Sequence, residues 1–258
     1  MDRMTEINYL YEEISQLKDF SPSEKVNSAF SSLVKLAMKY DSKIELSEEK
    51  KQHLQYLSAE AEYQLEKYWA NKIVNSSNPI KELETFPYYK NYQDLTTLEY
   101  NSLCSCAEHK DHKFIFIGGG FLPLTSIVLA SKYNISSKII DIDKEVTEKS
   151  KILIKALKLD HLIDIYNAAG QIFNYQDYNT IFVAALAGLD SKTKLDIFNQ
   201  IRSTAPKGSH IVARSSWNNR KLLYRPIDES IYKIFTPIIK VDPFHDVINS
   251  VVILENTL

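Results

Sequence analysis

Three of the six glycines in this 258-residue chain are consecutive, Gly118-Gly119-Gly120. They directly follow the apolar run Phe114-Ile-Phe-Ile117, and Phe121-Leu-Pro123 leads from them into a segment with helical spacing. A buried strand, a glycine turn and a helix in that order are the opening unit of a parallel α/β sheet. In such a sheet the ligand sits beyond the carboxyl ends of the strands, beside this first turn. A chain that avoids glycine elsewhere and concentrates it here is letting something approach the backbone closely.

The rest of the chain divides around this turn. Residues 1–108 read as an α-helical N-terminal domain. Ile7, Leu10, Tyr11, Ile14 and Leu17 form one apolar stripe, and Val26, Phe30, Leu33, Val34 and Ala37 a second. A longer helix runs from about Ser47 to Val74, with Leu54, Leu57, Ala61, Leu65 and Tyr68 on one face, and Asn75-Ser-Ser-Asn-Pro79 ends it. Residues 109–258 alternate short β-type runs (114–117, 138–142, 163–166, 181–184, 209–213) with helical segments (125–133, 144–157, 192–203). Two further β-type runs, 234–241 and 247–254, close the chain as a hairpin around Pro243-Phe244-His245. The pattern predicts a class I SAM-methyltransferase-like (Rossmann-like) α/β domain behind the helical domain.

Asp141, at the end of the second β-type run, lies 22 residues past Gly119, close to the roughly 20 at which an acid meets ribose hydroxyls. The third glycine of a dinucleotide fingerprint would fall at Pro123, which argues for a ribose-bearing ligand without pyrophosphate. S-adenosylmethionine (SAM) fits. The composition agrees with a small-molecule site. Net charge is -2 and hydrophobic residues make up 44%, so no basic excess points to nucleic acid. No stretch is long and apolar enough for a bilayer span, and two cysteines make no disulfide framework. The expected compartment is the cytoplasm. Cys104 and Cys106 with His109 and His112 could hold zinc, but their spacing is not that of common structural zinc sites, and no metal is expected.

Several stretches, in order along the chain, resemble the nicotianamine synthase family. They are Asn78-Pro through Phe86-Pro-Tyr-Tyr-Lys-Asn-Tyr92 with Leu98-Glu-Tyr100; Phe116 to Ala130 with its Gly-Gly-Gly-Phe-Leu-Pro-Leu-Thr-Ser core; Asp141-Ile-Asp143; Val183 to Asp190; Arg214-Ser215 with Arg220 and Leu223-Tyr224; and Val247 to Ile253. The resemblance implies a transferase that moves the 3-amino-3-carboxypropyl arm of SAM to an amino nitrogen and releases methylthioadenosine. The product would be a nicotianamine-type or opine-type metal chelator. The partner is then a small amino-acid or amine acceptor, and oligomeric state is open, a homodimer being one option. Two other readings stand beside it: a SAM-dependent methyltransferase of a small amine, and a non-enzymatic SAM- or metallophore-binding protein.

The acceptor amine must lose a proton, so a carboxylate is required near the arm. Glu66 lies at the edge of the apolar stripe of the long helix, in line with Trp69 and Ile73, and matches the family's catalytic glutamate. The bland alternative is a solvated helix glutamate, the reading that fits Glu60 and Glu62. Tyr92 matches the family's active-site tyrosine and is expected to orient the amine or relay its proton. Gly118, Gly119, Gly120, Leu122, Pro123, Asp141, Ile142, Ala168, Ala169, Ala184, Ala185 and Leu186 are expected around SAM. Tyr89, Arg214 and Tyr224 are expected at the substrate, with Arg214 clamping a carboxylate in bidentate fashion. Ala168-Ala169 stands where many SAM enzymes carry an acid for the adenine amine.

Overall fold

The computed structural model describes residues 3–39, 43–107 and 112–258. Five helices come first: α1 (Arg3–Ser15), α2 (Glu24–Ala37), α3 (Glu48–Val74), α4 (Pro79–Glu84) and α5 (Tyr89–Cys104). Their starts follow local chemistry. The Ser23 hydroxyl accepts from Val26 N–H at 3.3 Å, Ser47 does the same for Lys50 N–H, and Asn78 caps α4, whose first residue is Pro79. In α3 the first half buries Leu54, Leu57 and Ala61, whereas Tyr68, expected on the same apolar face, is 49% exposed. The middle of this helix borders two cavities, and its end returns to the core through Ala70 and Ile73.

Among the described residues seven strands form one sheet: β1 (Phe114–Ile117), β2 (Ser137–Asp141), β3 (Ile163–Asn167), β4 (Thr180–Val183), β5 (His210–Ser215), β6 (Thr236–Val241) and β7 (Ser250–Glu255). Their order is β3-β2-β1-β4-β5-β7-β6. The first five pair in parallel, and β7 inserts antiparallel between β5 and β6. The crossovers are α6 (Leu124–Tyr133), α7 (Lys144–Ala156) and α8 (Ser191–Thr204). β1 and β4 are buried throughout, as their unbroken apolar runs require. The topological switch lies between β1 and β4, where the glycine turn emerges.

Two features differ from the sequence expectation. A 3-10 helix (Asn218–Leu222) and α9 (Glu229–Ile234) separate β5 from β6. Ile234, expected to start a strand, ends a helix that Asp228 caps by accepting Ser230 N–H at 2.8 Å. The last strand begins at Ser250 rather than Val247, because the preceding loop is tied elsewhere. Trp217 Nε1 donates to Pro243 O (3.2 Å), Arg220 Nη2 to His245 O (3.0 Å) and Asn91 Nδ2 to Asp246 O.

The apolar interior forms two clusters. The larger joins the sheet to α4, α5 and the end of α3 through Leu83, Phe86, Leu95 and Leu103. The smaller holds α1, α2 and the start of α3 together with Leu222, Leu223 and Ile248. The boundary drawn at residue 108/109 lies outside the described residues. No helix among the described residues is long and apolar enough to cross a membrane.

Candidate active site

A cavity of about 550 Å³ opens over the carboxyl ends of the strands. Its floor is the glycine turn. Gly118 and Gly120 hold φ of +82° and +65°, backbone that side chains rarely adopt. A Cβ on Gly119 would strike Ile139, and one on Gly120 would strike the Glu66 carboxylate. Leu122, Pro123, Ile142, Ala168, Ala184, Ala185 and Leu186 line the same space. Asp141 accepts Gly120 N–H on Oδ2 at 3.1 Å and Asp143 N–H on Oδ1 at 3.0 Å. Burial raises its pKa and these backbone donors oppose the rise. Asp143 caps α7 through Glu145 and Val146 N–H. Its other carboxylate oxygen accepts the Tyr63 hydroxyl at 3.3 Å.

Ala169 is the exception among the residues expected around SAM: it does not line the cavity. Its carbonyl accepts Ile172 N–H at 3.2 Å, which opens a turn. Gly170 and Gln171 take the lining positions instead. Gln171 thus brings an amide close to the place where the acid is missing. Lys194 was also not anticipated. It is buried, its Nζ donates to Ala185 O at 2.7 Å, and burial lowers its pKa to about 8. It pins the Ala184–Leu186 segment from behind.

A second cavity, of about 410 Å³, lies on the helical side, walled by α2, α3, α5 and the segment from Phe86 to Tyr88. The two cavities share five lining residues: Glu62, Glu66, Tyr92, Tyr224 and Asn249. Glu66 lies over the glycine turn, with Oε2 3.5 Å from Leu122 N. Burial drives its pKa well above the carboxylate range, and the neighbouring Glu62 adds to the rise.

Glu62 overturns the reading of it as a solvated residue. It lies one turn before Glu66 on α3, partly buried, and accepts the hydroxyls of Tyr224 (2.8 Å) and Tyr92 (3.3 Å). Burial raises its pKa too, with the two phenols and Arg214 opposing. Tyr92, expected to orient the amine or relay its proton to a carboxylate, therefore has Glu62 as its carboxylate partner. Sequence spacing held the clue, since residues 62, 66, 69 and 73 share one helix face. Tyr92 and Tyr224 are held well above the ordinary phenol pKa by burial and by Glu62, so both stay protonated donors.

Arg214 lines the first cavity, and its bidentate pair is made with Glu99. Nε donates to Oε1 at 2.8 Å, Nη2 to Oε2 at 3.2 Å, and Nη2 also reaches Thr125 Oγ1. Glu99 is 1% exposed, and a buried acid in α5 needs such a partner. The Arg214 guanidinium stands 5.5 Å from the Tyr92 ring centre. Tyr89 lines neither cavity. It is the first residue of α5, which turns it away, and its predecessor Tyr88 lines the second cavity. His112 pairs with Thr180 Oγ1 at 2.9 Å, and His109 lies outside the described residues.

Strand order, glycine turn and strand-end acid together define a class I SAM-methyltransferase-like protein whose helical segment adds a second chamber. The family model for nicotianamine synthase protein matches residues 2–258. A nicotianamine synthase of Solanum lycopersicum is 33% identical over 258 residues, covering 95% of this chain and 80% of the relative. Nicotianamine synthase 2 of Arabidopsis thaliana is 33% identical over 261 residues with the same coverage. Among solved structures, MtNAS in complex with MTA and tNA superposes with a TM-score of 0.85 at 21% identity, over 98% of both chains. A variant of MtNAS with S-adenosylmethionine gives 0.83 at 20% identity, over 100% of this chain and 99% of the other. The chain belongs to the nicotianamine synthase family.

Proposed function

We propose that the chain transfers the 3-amino-3-carboxypropyl arm of SAM to the amino nitrogen of a small acceptor, building a nicotianamine-type chelator. The observation that carries this reading is the shared wall. A donor cavity with a SAM-type floor meets a second chamber, and carboxylates and phenols stand where they join. The acceptor amine attacks the arm carbon bonded to sulfur. The C–S bond breaks, its electron pair returns to sulfur, and neutral methylthioadenosine leaves. The new C–N bond leaves a proton on nitrogen, which a carboxylate must take.

Glu66 is the base in this proposal. Its raised pKa makes it a better acceptor near neutral pH than an exposed glutamate. Glu62, held by Tyr92 and Tyr224, is a second carboxylate at the junction, where the sulfonium and the ammonium of the arm arrive. The glycine turn and Asp141 hold adenosine, and Gln171 or backbone groups meet the adenine amine. SAM is consumed as a substrate, so the reaction belongs where SAM is supplied, in the cytoplasm.

The test is product identity. Purified protein is incubated with SAM alone and with a panel of amines, and products are read by mass spectrometry. Methylthioadenosine together with an acceptor heavier by the aminocarboxypropyl group is the expected result. S-adenosylhomocysteine would replace this reading with methyl transfer, and SAM bound without turnover would make the chain a binding protein.

A further inference from the structure

Lys194 is a buried cation with no part in the transfer chemistry above. It stands one turn after the Asp190 cap of α8, and its relative exposure is 6%. Three effects oppose a charge there. Burial removes the ammonium from water. The amino end of a helix carries partial positive charge. Arg225 adds a like charge, and no carboxylate among the described residues offsets it. An apolar side chain of similar length would fill the space without these costs.

What the ammonium meets is the backbone of the donor site. Nζ donates to Ala185 O at 2.7 Å. Ala185 lies in the turn between β4 and α8, and all of residues 184–190 line the first cavity, while Lys194 itself does not. Ala184 N–H donates to Ile117 O at 3.1 Å, which continues the pairing of β4 with β1, and Ala187 N–H returns to Ala184 O at 3.2 Å. Two further contacts hold the turn, and both are to Lys194. Its side chain takes Ala185 O. Its backbone packs on Gly188, which holds φ of +70° and where a Cβ would come within 2.7 Å of Lys194 N and Cα. Only glycine allows that approach.

This turn abuts the glycine turn that follows β1. A Cβ built on Gly118 would lie 3.3 Å from the Cβ atoms of both Ala184 and Ala187. The two turns thus touch at the switch point between β1 and β4, where a parallel sheet of this kind holds its ligand. A shift of residues 185–189 would be felt by the glycine turn at once. Lys194 is the residue of α8 that fixes their spacing.

We propose that Lys194 is a positioning residue for the donor site. Its hydrogen bond to Ala185 O sets residues 184–190 against the glycine turn, in the shape that accepts the adenosyl body shared by SAM and methylthioadenosine. This rests on the first cavity being the donor site of the proposed reaction.

Calorimetric titration with methylthioadenosine tests it without turnover, because this ligand carries the adenosyl body and no group that titrates near neutral pH. Lys194→Met keeps the apolar stem of the side chain and removes the donor. Ala185 is half-buried, so water can take its carbonyl, and the variant is expected to melt no lower than wild type. Its affinity for methylthioadenosine is expected to fall about tenfold, the order of one lost charge-assisted hydrogen bond. Lys192→Met, exposed on the same turn of α8, is expected to bind like wild type. The wild type supplies a second measurement that needs no variant. Burial and Arg225 lower the Lys194 pKa to about 8. Residues 184–189 carry no titratable side chain, and Asp190 is engaged by Thr193. Affinity is therefore expected to fall as pH rises through about 8, where the ammonium is lost, and Lys194→Met is expected to remove that fall. Glu62, Glu66 and Asp141 are common to both proteins, so a pH dependence of theirs survives in the variant. Wild-type affinity in Lys194→Met, or a wild-type affinity that stays level through this range, would overturn the inference. A wild type that does not bind methylthioadenosine would overturn it together with the donor site. The product assay judges arm transfer separately, since Lys194 can shape an adenosyl site whichever group of SAM is moved.

Discussion

Glu62 and Glu66 lie one turn apart on α3, both on the wall between the two cavities, and the charge of Glu62 helps to raise the pKa of Glu66. The two carboxylates have different partners and so give different mutant signatures. Glu66→Gln is expected to lose 10²–10⁴ in turnover, about 3–5 kcal/mol of barrier, and to lose the acidic limb of the pH–rate profile. Glu62→Gln removes the neighbouring charge, which lowers the Glu66 pKa and moves that limb to lower pH. A Glu62→Gln profile that superposes on wild type would sink the coupling.

The same pKa shift makes the unliganded site a source of instability. Because the folded value of Glu66 lies above its ordinary 4.5, the folded state keeps a proton that the unfolded chain has lost. The stability this proton contributes is fully present below about 4.5 and is lost as pH rises through the folded value. Glu66→Gln is expected to raise Tm relative to wild type at neutral pH, with the gap closing on acidification. Paired melting curves across that range check it, and a gap that widens toward acid would contradict it.

Gly120 and Glu66 compete for one space, and this sets a third expectation. Gly120→Ala puts a methyl group against the carboxylate at a φ of +65°, so it carries both a clash and backbone strain of about 1–3 kcal/mol. Activity is expected to fall to background. In the double variant with Glu66→Ala the clash goes and stability partly returns, but activity does not. Recovery of activity in the double variant would remove Glu66 from the chemistry.

The parallel sheet and its turn were legible because their signals are local: unbroken apolar runs, clustered glycine and an acid at a set distance. The helices on either side were legible from stripes and caps. The partners inside the site were not, because they are set by packing between distant segments. Glu62 reads like any surface glutamate until Tyr92 and Tyr224 arrive from 30 and 162 residues away. Arg214 reads as a free carboxylate clamp because nothing in its own strand reveals Glu99, 115 residues earlier. Helix α9 was hidden because its Ile231 and Ile234 run into the apolar residues of β6.

Asp141 joins the glycine turn to the ligand site. Its carboxylate accepts one backbone N–H on each oxygen, and in the proposed SAM site its remaining lone pairs meet ribose hydroxyls. Asp141→Ala removes the ribose contacts and loosens Gly120, so SAM affinity is expected to fall by roughly 1.5–3 kcal/mol for each charge-assisted hydrogen bond lost. Titration of a folded variant with SAM measures it. Asp143→Asn, which keeps an acceptor at the α7 cap, is expected to change SAM affinity far less.

Arg214 and Glu99 form the most buried ion pair among the described residues, at 7% and 1% side-chain exposure. Removing one member leaves the other charged and enclosed, so Arg214→Met is expected to cost about 3–5 kcal/mol, and the double variant Arg214→Met with Glu99→Leu to regain most of it. That rescue separates two roles. Burial opposes the arginine charge, and Glu99 more than compensates, holding the guanidinium above its ordinary pKa and so charged at every working pH. Arg214 also lines the donor cavity beside Tyr92. If it only braces α5 against β5, the rescued double variant binds SAM like wild type. If it also meets the carboxylate of the arm, the double variant is stable yet binds SAM about tenfold more weakly, while methylthioadenosine, which lacks the arm, binds unchanged. Calorimetry with the two ligands on the one folded variant distinguishes these outcomes. The cavity lining favours the second.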